Sequence, residues 1–225
     1  MPEKYYIASD VEGTLASAEM WRAVASYQKS HGYASNHQRL ILSNLPGILA
    51  YRLGISDPQV FRVRWTEKQA HRLAGWSFDE IDQLCKWVIE DNFWPNLRSF
   101  LVEELRQQQA EGAEIILASG MYQPMLERFA ARLDFPVKII GTRLEFKGDR
   151  FTGRFIGPVC NGEEKARRVV EITAGAPLLK AYGDSLSDVP LLQLSQQPVA
   201  VEPDQALAEH ASLHGWQIYR GGKYA

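Results

Sequence analysis

Three short apolar runs, YYIAS at 5–9, AEIILAS at 113–119 and LLKAY at 178–182, each lead into small or acidic residues. These residues are Asp10, Ser119-Gly120 and Gly183-Asp184. Such runs are too short for core helices. Being apolar over consecutive positions rather than alternate ones, they need cover on both faces, as strands inside a parallel sheet do. PVAVE at 198–202 and VKII at 137–140 read as further strands. Helical patterns lie between them. NLRSFLVEELRQQQAEG repeats apolar residues at Leu97, Phe100, Leu101 and Leu105, with Gly112 as its stop. YQPMLERFAARLDF follows Ser119, and GEEKARRVVEITA precedes the 178–182 run. Alternating strands and helices predict an α/β fold, a Rossmann-like parallel sheet covered on both faces. Residues 143–155, RLEFKGDRFTGRF, alternate instead around Lys147-Gly148-Asp149 and predict a β-hairpin.

Residues 17–94 carry helical periodicity, as in FDEIDQLCKWVIEDNF, and no clear buried strand. A gap of this length between sheet elements predicts a helical subdomain rather than a loop. The chain therefore divides into an α/β core, 1–16 and 95–225, and a helical insertion, 17–94. Trp65, Trp76, Trp87 and Trp94 fall in the insertion. They are expected in its core, or else one or two of them line an apolar pocket above Asp10. Arg62, Arg64, Lys68 and Arg72 read as a solvated helix face, or as a patch that steers a substrate with a second anionic group.

In an open parallel sheet, ligands sit beyond the carboxyl ends of the strands at the switch point of strand order. Asp10, Ser119, Gly120 and Asp184 are expected at that rim, with Asp188 four residues further on in GDSLSD and Lys165 opening a helix. These groups suit a phosphate ester. A carboxylate such as Asp10 can attack phosphorus in line and form an acyl phosphate. Mg²⁺ on hard oxygen ligands from Asp10, Asp184 and a backbone carbonyl would offset the repulsion between two anions. Lys165 adds a point charge, and Ser119 with nearby N–H groups can hold phosphoryl oxygens. Glu12, on the same loop as Asp10, can protonate the leaving oxygen and then deprotonate water.

DVEGTL, LASG, the lysine of NGEEKARR and GDSLSD occur in the order and approximate spacing of the haloacid dehalogenase-like (HAD) hydrolases. Within that superfamily the chain most resembles subfamily IB, the phosphoserine phosphatase-like group, and its 17–94 insertion looks like a C1-type cap. The resemblance covers the core, and the cap only weakly. It implies Asp10 as nucleophile and Glu12 as general acid/base, with the residue-12 carbonyl on the metal. It further implies Ser119 and Gly120 as phosphate-binding, Lys165 as stabilising the phosphoryl group, and Asp184 as a Mg²⁺ ligand. Asp188 would position Lys165 or a metal-bound water. The implied function is a Mg²⁺-dependent phosphatase of a small phosphorylated metabolite. Phosphotransfer to an acceptor alcohol is the alternative enzyme reading, and a low-activity phosphate-binding regulator the non-enzymatic one.

Two departures bear on this reading. The family's usual first motif has Asp where this chain has Glu12, which lengthens the arm by roughly 1.5 Å but keeps the proton chemistry. Glu19 stands where phosphoserine phosphatases meet the substrate's amino group, and Arg72 is the candidate for their carboxylate-binding arginine. Phosphoserine itself is not favoured, and Glu19 also reads as a solvated first-turn helix acid.

The remaining features exclude rather than assign. A net charge of −2 gives no electrostatic reason to expect nucleic acid or an anionic membrane. No apolar run reaches the roughly 18 residues of a membrane span, and no basic-then-apolar leader opens the chain. Cys85 and Cys160 are not spaced as a metal pair and read as free thiols of a cytoplasmic protein. His210 and His214, four apart on a predicted helix, have no third ligand nearby and read as surface residues.

Overall fold

The computed structural model describes residues 5–33, 44–47, 49, 53, 55 and 57–224. The other positions within the expected insertion, including 34–43, lie outside this description. A seven-stranded sheet runs in the order β3-β2-β1-β6-β7-β8-β9. Its strands are β1 (Tyr6–Ser9), β2 (Glu114–Tyr122), β3 (Val137–Thr142), β6 (Leu178–Gly183), β7 (Ser195–Val201), β8 (Gln217–Arg220) and β9 (Lys223–Tyr224). All neighbours pair in parallel except β8 and β9.

The unbroken apolar runs are explained by what lies on the two faces. Ile7, Ile115 and Leu117 belong to one buried cluster, whereas Ala8, Ile116 and Ala118 belong to the other. Consecutive side chains point to opposite faces, so a strand covered on both sides needs apolar residues at every position. The first face is covered by helices α4 (Ser99–Ala110) and α5 (Gln123–Ala130), through Leu101, Leu105, Met125 and Phe129. The second is covered by α6 (Gly162–Thr173), α7 (Val189–Leu192) and α8 (Gln205–His214), through Val169, Leu191 and Leu207. The expected hairpin forms from β4 (Leu144–Lys147) and β5 (Arg150–Phe155), turning at Gly148 with φ +63°.

Between β1 and α4 lie the helices α1 (Met20–Ser30), α2 (Pro58–His71) and α3 (Phe78–Val88). α3 starts with a full capping box, Ser77 and Glu80 each bonding the other's backbone. Its apolar face, Ile81, Leu84, Cys85 and Val88, joins the same cluster as Met125 and Phe129. Trp76, Trp87 and Trp94 join that cluster too, while Trp65 is buried outside both clusters. The outgoing and returning chains meet edge to edge: Ser17 N–H donates to Asn96 O at 2.9 Å, and Arg98 N–H to Leu15 O at 2.8 Å. No helix among the described residues is long and apolar enough to cross a membrane.

β2 differs from the expectation. It runs on to Tyr122 rather than stopping at Ser119, and its pairing with β3 shifts register between Ala118 and Tyr122. The interruption falls at Ser119-Gly120, where the strand crosses the rim of the sheet.

Candidate active site

Strand order reverses at β1: the chain adds β2 and β3 on one side and later returns to place β6 on the other. Asp10 directly follows β1, anchored by its N–H donating to Tyr182 O at 3.0 Å. Asp184 directly follows β6. Gly13, with φ +84°, allows the two loops to approach, because a Cβ there would lie 2.3 Å from Asp184 Oδ2. Thr14 Oγ1 donates to Asp184 Oδ1 at 3.0 Å. Arg98 fixes this turn by donating to the carbonyls of Gly13 and Thr14.

Lys165, on the first turn of α6, is buried between two carboxylates. Its Nζ donates to Asp10 Oδ1 at 2.7 Å and to Asp188 Oδ1 at 2.6 Å. Asp188 is in turn held through Oδ2, which accepts from Ser185 N–H at 3.2 Å and Ser185 Oγ at 3.0 Å. This is the capping box of the 3₁₀ turn Leu186–Asp188, so capping and support of Lys165 fall to one side chain.

Burial pushes the Asp10 carboxyl up to about 6, against the opposing pull of Lys165. Burial, then the nearby Asp10, pushes Glu12 up to about 7. Burial, with Asp188 and Asp10 adding to it, holds Asp184 well above the usual carboxylate range. Asp188 moves the other way: burial opposes its charge, but Lys165 and Ser185 outweigh it and keep the carboxyl below its ordinary value. Lys165 stays protonated because its two carboxylates outweigh the desolvation of its ammonium.

A cation fits this donor set. Asp10, Asp184 and Asp188 each offer a carboxylate oxygen within 4.8 Å of the others. Hard oxygen donors of this kind suit Mg²⁺. One lysine faces three acids in a buried site, and a cation there would offset both the burial and the mutual repulsion that raise Asp184.

Glu12 stands beside this cluster, with one carboxylate oxygen bonded to the helical side. Its Oε1 accepts the N–H of Met20 at 2.7 Å, the first residue of α1. That helix start has no side-chain cap at Glu19 and no acidic residue in its first turn. Glu12 therefore supplies from outside the helix the acceptor and negative charge that a helix N-terminus calls for. An Asp would fall roughly 1.5 Å short.

A cavity of about 660 Å³ opens above these groups. It is lined by Asp10, Glu12, Gly120, Lys165 and Asp184 on the sheet side, and by Trp21, Phe61, Arg62 and Trp65 on the helical side. Of the residues singled out in the sequence, Asp10, Glu12, Glu19, Gly120, Lys165, Asp184 and Asp188 all border it. Ser119 does not: it is fully buried within the extended β2, its Oγ 3.5 Å from Met121 N. The expectation for Glu12 joins a backbone carbonyl on the metal to an acid/base carboxyl; that carboxyl accepts the Met20 N–H through one oxygen. Glu19, at the N-cap position of α1, is tied to Arg22 at 2.5 Å and is 44% exposed.

Arg72 does not border this cavity. It caps the far end of α2 and lines a separate cleft with Lys68, His71 and Arg154. Arg22 and Arg62 line the cavity; Arg62 comes from the basic run read either as a solvated helix face or as a patch that steers a second anionic group. Arg98 and Trp21 were not singled out, and no local motif marks either. His210 and His214 stack at 4.1 Å between ring centroids, and Cys85 and Cys160 are free and buried.

The model of the haloacid dehalogenase-like hydrolases matches residues 7–193. The chain belongs to this family. A probable phosphatase of Mycobacterium tuberculosis is 24% identical over 187 residues, 81% of this chain and 64% of the relative. The chain thus spans less than two thirds of that relative's length. A histidinol-phosphatase of Neisseria meningitidis is 29% identical over 158 residues, 65% of this chain and 69% of the relative. Among solved structures, a protein of unknown function from Bordetella pertussis superposes with a TM-score of 0.78 at 25% identity, covering 96% of this chain and 98% of that one. A phosphoserine phosphatase in its apo form shares the HAD fold at a TM-score of 0.62 and 15% identity, over 92% of this chain and 90% of that one.

Proposed function

We propose that this HAD hydrolase is a Mg²⁺-dependent phosphatase of a small phosphorylated metabolite. The observation that carries the reading is the placement of Asp10, at the end of the central strand, in one cavity with Lys165 and the carboxyl of Glu12. Asp10 is the nucleophile. Its Oδ1 is held by Lys165, which leaves Oδ2 to attack phosphorus. The phosphorus–ester oxygen bond breaks, and Glu12 gives its proton to the departing alkoxide. The resulting aspartyl-phosphate is then attacked by water, whose proton Glu12 takes, and the phosphorus–Oδ2 bond breaks to release inorganic phosphate. Lys165 keeps Asp10 aimed and offsets phosphoryl charge, Asp188 holds Lys165, and the backbone at Gly120 lines the phosphoryl side. Asp10, Asp184 and Asp188 are the side chains that would hold Mg²⁺, which when bound supplies charge neutralisation between the two anions.

In this reading the helices α1 to α3 form a cap over the site, joined to the core by the paired segments at 15–17 and 96–98. The names of relatives, a probable phosphatase and a histidinol-phosphatase, agree with a phosphate-ester substrate. A raised Glu12 inside the cavity favours hydrolysis over a silent phosphate-binding role, since it supplies the proton carrier that turnover needs. The test is a phosphate-release screen over small phosphomonoesters with Mg²⁺, with Asp10→Asn as the blank. Wild-type release that vanishes in Asp10→Asn and with EDTA is expected. Wild-type rates in Asp10→Asn would overturn the mechanism.

A further inference from the structure

Three tryptophans of the helical segment, Trp76, Trp87 and Trp94, pack into the apolar cluster beneath the sheet. Trp65 does not, although it is 9% exposed, and neither does Trp21; among the described residues both line the cavity that holds Asp10. Their rings meet at right angles, 89° between planes with centroids 6.2 Å apart. Phe61, one turn before Trp65 on α2, lies nearly parallel to it at 19° and 5.8 Å and lines the same cavity. Arg22 covers one side of Trp21 at 5.0 Å. Two aromatic walls therefore form a corner, one from α1 and one from α2, facing the carboxylates of the sheet.

Aromatic rings prefer offset-stacked or edge-to-face partners, and a right-angled corner offers both at once to one further flat ring. A cavity of about 660 Å³ is also far larger than a phosphoryl group fills, so it has room for a ring-sized alcohol portion. Resting on the phosphatase reading above, we propose that the substrate is the phosphomonoester of an alcohol bearing a flat aromatic or heteroaromatic ring. The ring occupies the corner of Trp21 and Trp65 while the phosphate lies at Asp10 and Lys165. Trp21 and Trp65 are thus specificity-determining residues.

Three synthetic esters with primary alkoxide leaving groups test this: 2-phenylethyl, 2-cyclohexylethyl and propyl phosphate. Leaving-group chemistry is nearly constant across them, so differences in kcat/KM report the organic portion. The wild type should favour 2-phenylethyl over propyl phosphate by roughly tenfold or more, with the puckered cyclohexyl ester behind the phenyl one. Trp21→Ala should collapse the phenyl-to-propyl ratio towards one, and Trp21→Phe should restore most of it. A purely structural role for Trp21 would lower all three rates and leave the ratio intact. Calorimetric Kd values for the same esters on Asp10→Asn with Mg²⁺ separate this inference from the phosphatase reading. No turnover by wild type, with the phenyl ester still binding most tightly, would sink the phosphatase reading and keep the corner as a ring site. Equal Kd and equal kcat/KM for phenyl and propyl esters, or parity of phenyl and cyclohexyl, would overturn the assignment of a flat ring.

Discussion

Replacing Glu12 by Asp tests whether the longer acid is a flaw or a fitted part. The Glu12 Oε1 to Met20 N distance is 2.7 Å, and removal of one methylene withdraws the carboxylate by roughly 1.5 Å. The separation then exceeds hydrogen-bond range. Because α1 has no cap of its own, the Met20 N–H is left without this acceptor. Losing a helix cap costs about 1 kcal/mol, with a range of roughly 0.5–2. For a domain of this size that corresponds to a fall in Tm of about 2–4 °C per kcal/mol. The same withdrawal displaces the proton donor by more than the 1 Å for which losses of about 10²-fold are known. The expected result is a Tm lower by a few degrees and kcat/KM lower by at least about tenfold. Glu12→Gln separates the two effects: its amide oxygen keeps the length and the acceptor, so Tm should hold while turnover is lost. Scanning calorimetry and phosphate release on the three proteins measure both quantities. A gain of activity in Glu12→Asp, or an unchanged Tm alongside unchanged turnover, would refute the reasoning.

Lys165→Met leaves Asp10 and Asp188 buried without their shared cation. It should destabilise the fold by about 3–5 kcal/mol in urea denaturation as well as stop turnover; a stable, active variant would contradict the geometry. The raised acids also predict a pH signature. Asp10 and Glu12 release their protons near 6 and 7 in the fold, but near 3.8 and 4.5 otherwise. The folded state thus keeps protons that the unfolded chain has lost, and stability falls as pH rises from about 4.5 to about 7. A bound divalent cation favours the charged forms, so Mg²⁺ should raise Tm strongly above about pH 7 and little near pH 5. Glu164, held near 2 chiefly by Arg167 and also by Arg168, titrates below this window and does not confuse it. A Mg²⁺ increment that is flat with pH would count against a cation site at these acids.

What the sequence made legible follows from how strands and helices place side chains. A strand inside a parallel sheet leaves little freedom: its apolar run marks where it starts, and the residue after it must stand at the rim. Asp10, Gly120 and Asp184 were readable for that reason, and Lys165 and Asp188 through their spacing from those strands. The helical wall follows another rule. Each helical residue turns about 100° and rises about 1.5 Å, so Arg62 and Arg72 differ by roughly 15 Å along α2 and face different ways. Only the packing of α2 on its neighbours fixes which of them meets the cavity. Composition and periodicity give both the same standing, a solvated face or a substrate-steering patch, and only the resemblance to phosphoserine phosphatases singled out Arg72. Trp21 and Trp65 depend on the same unknown, the phase of two helices against each other. Ser119 differs for a third reason, since β2 continues past it and the residue is fully buried. Glu12 joins the two regimes. Its place on the loop after β1 is set by the sheet, but its length makes sense only against the start of α1. The general acid and the first helix above the site are thereby joined through one hydrogen bond, so a shift of α1 relative to the sheet must either move the acid or break that bond.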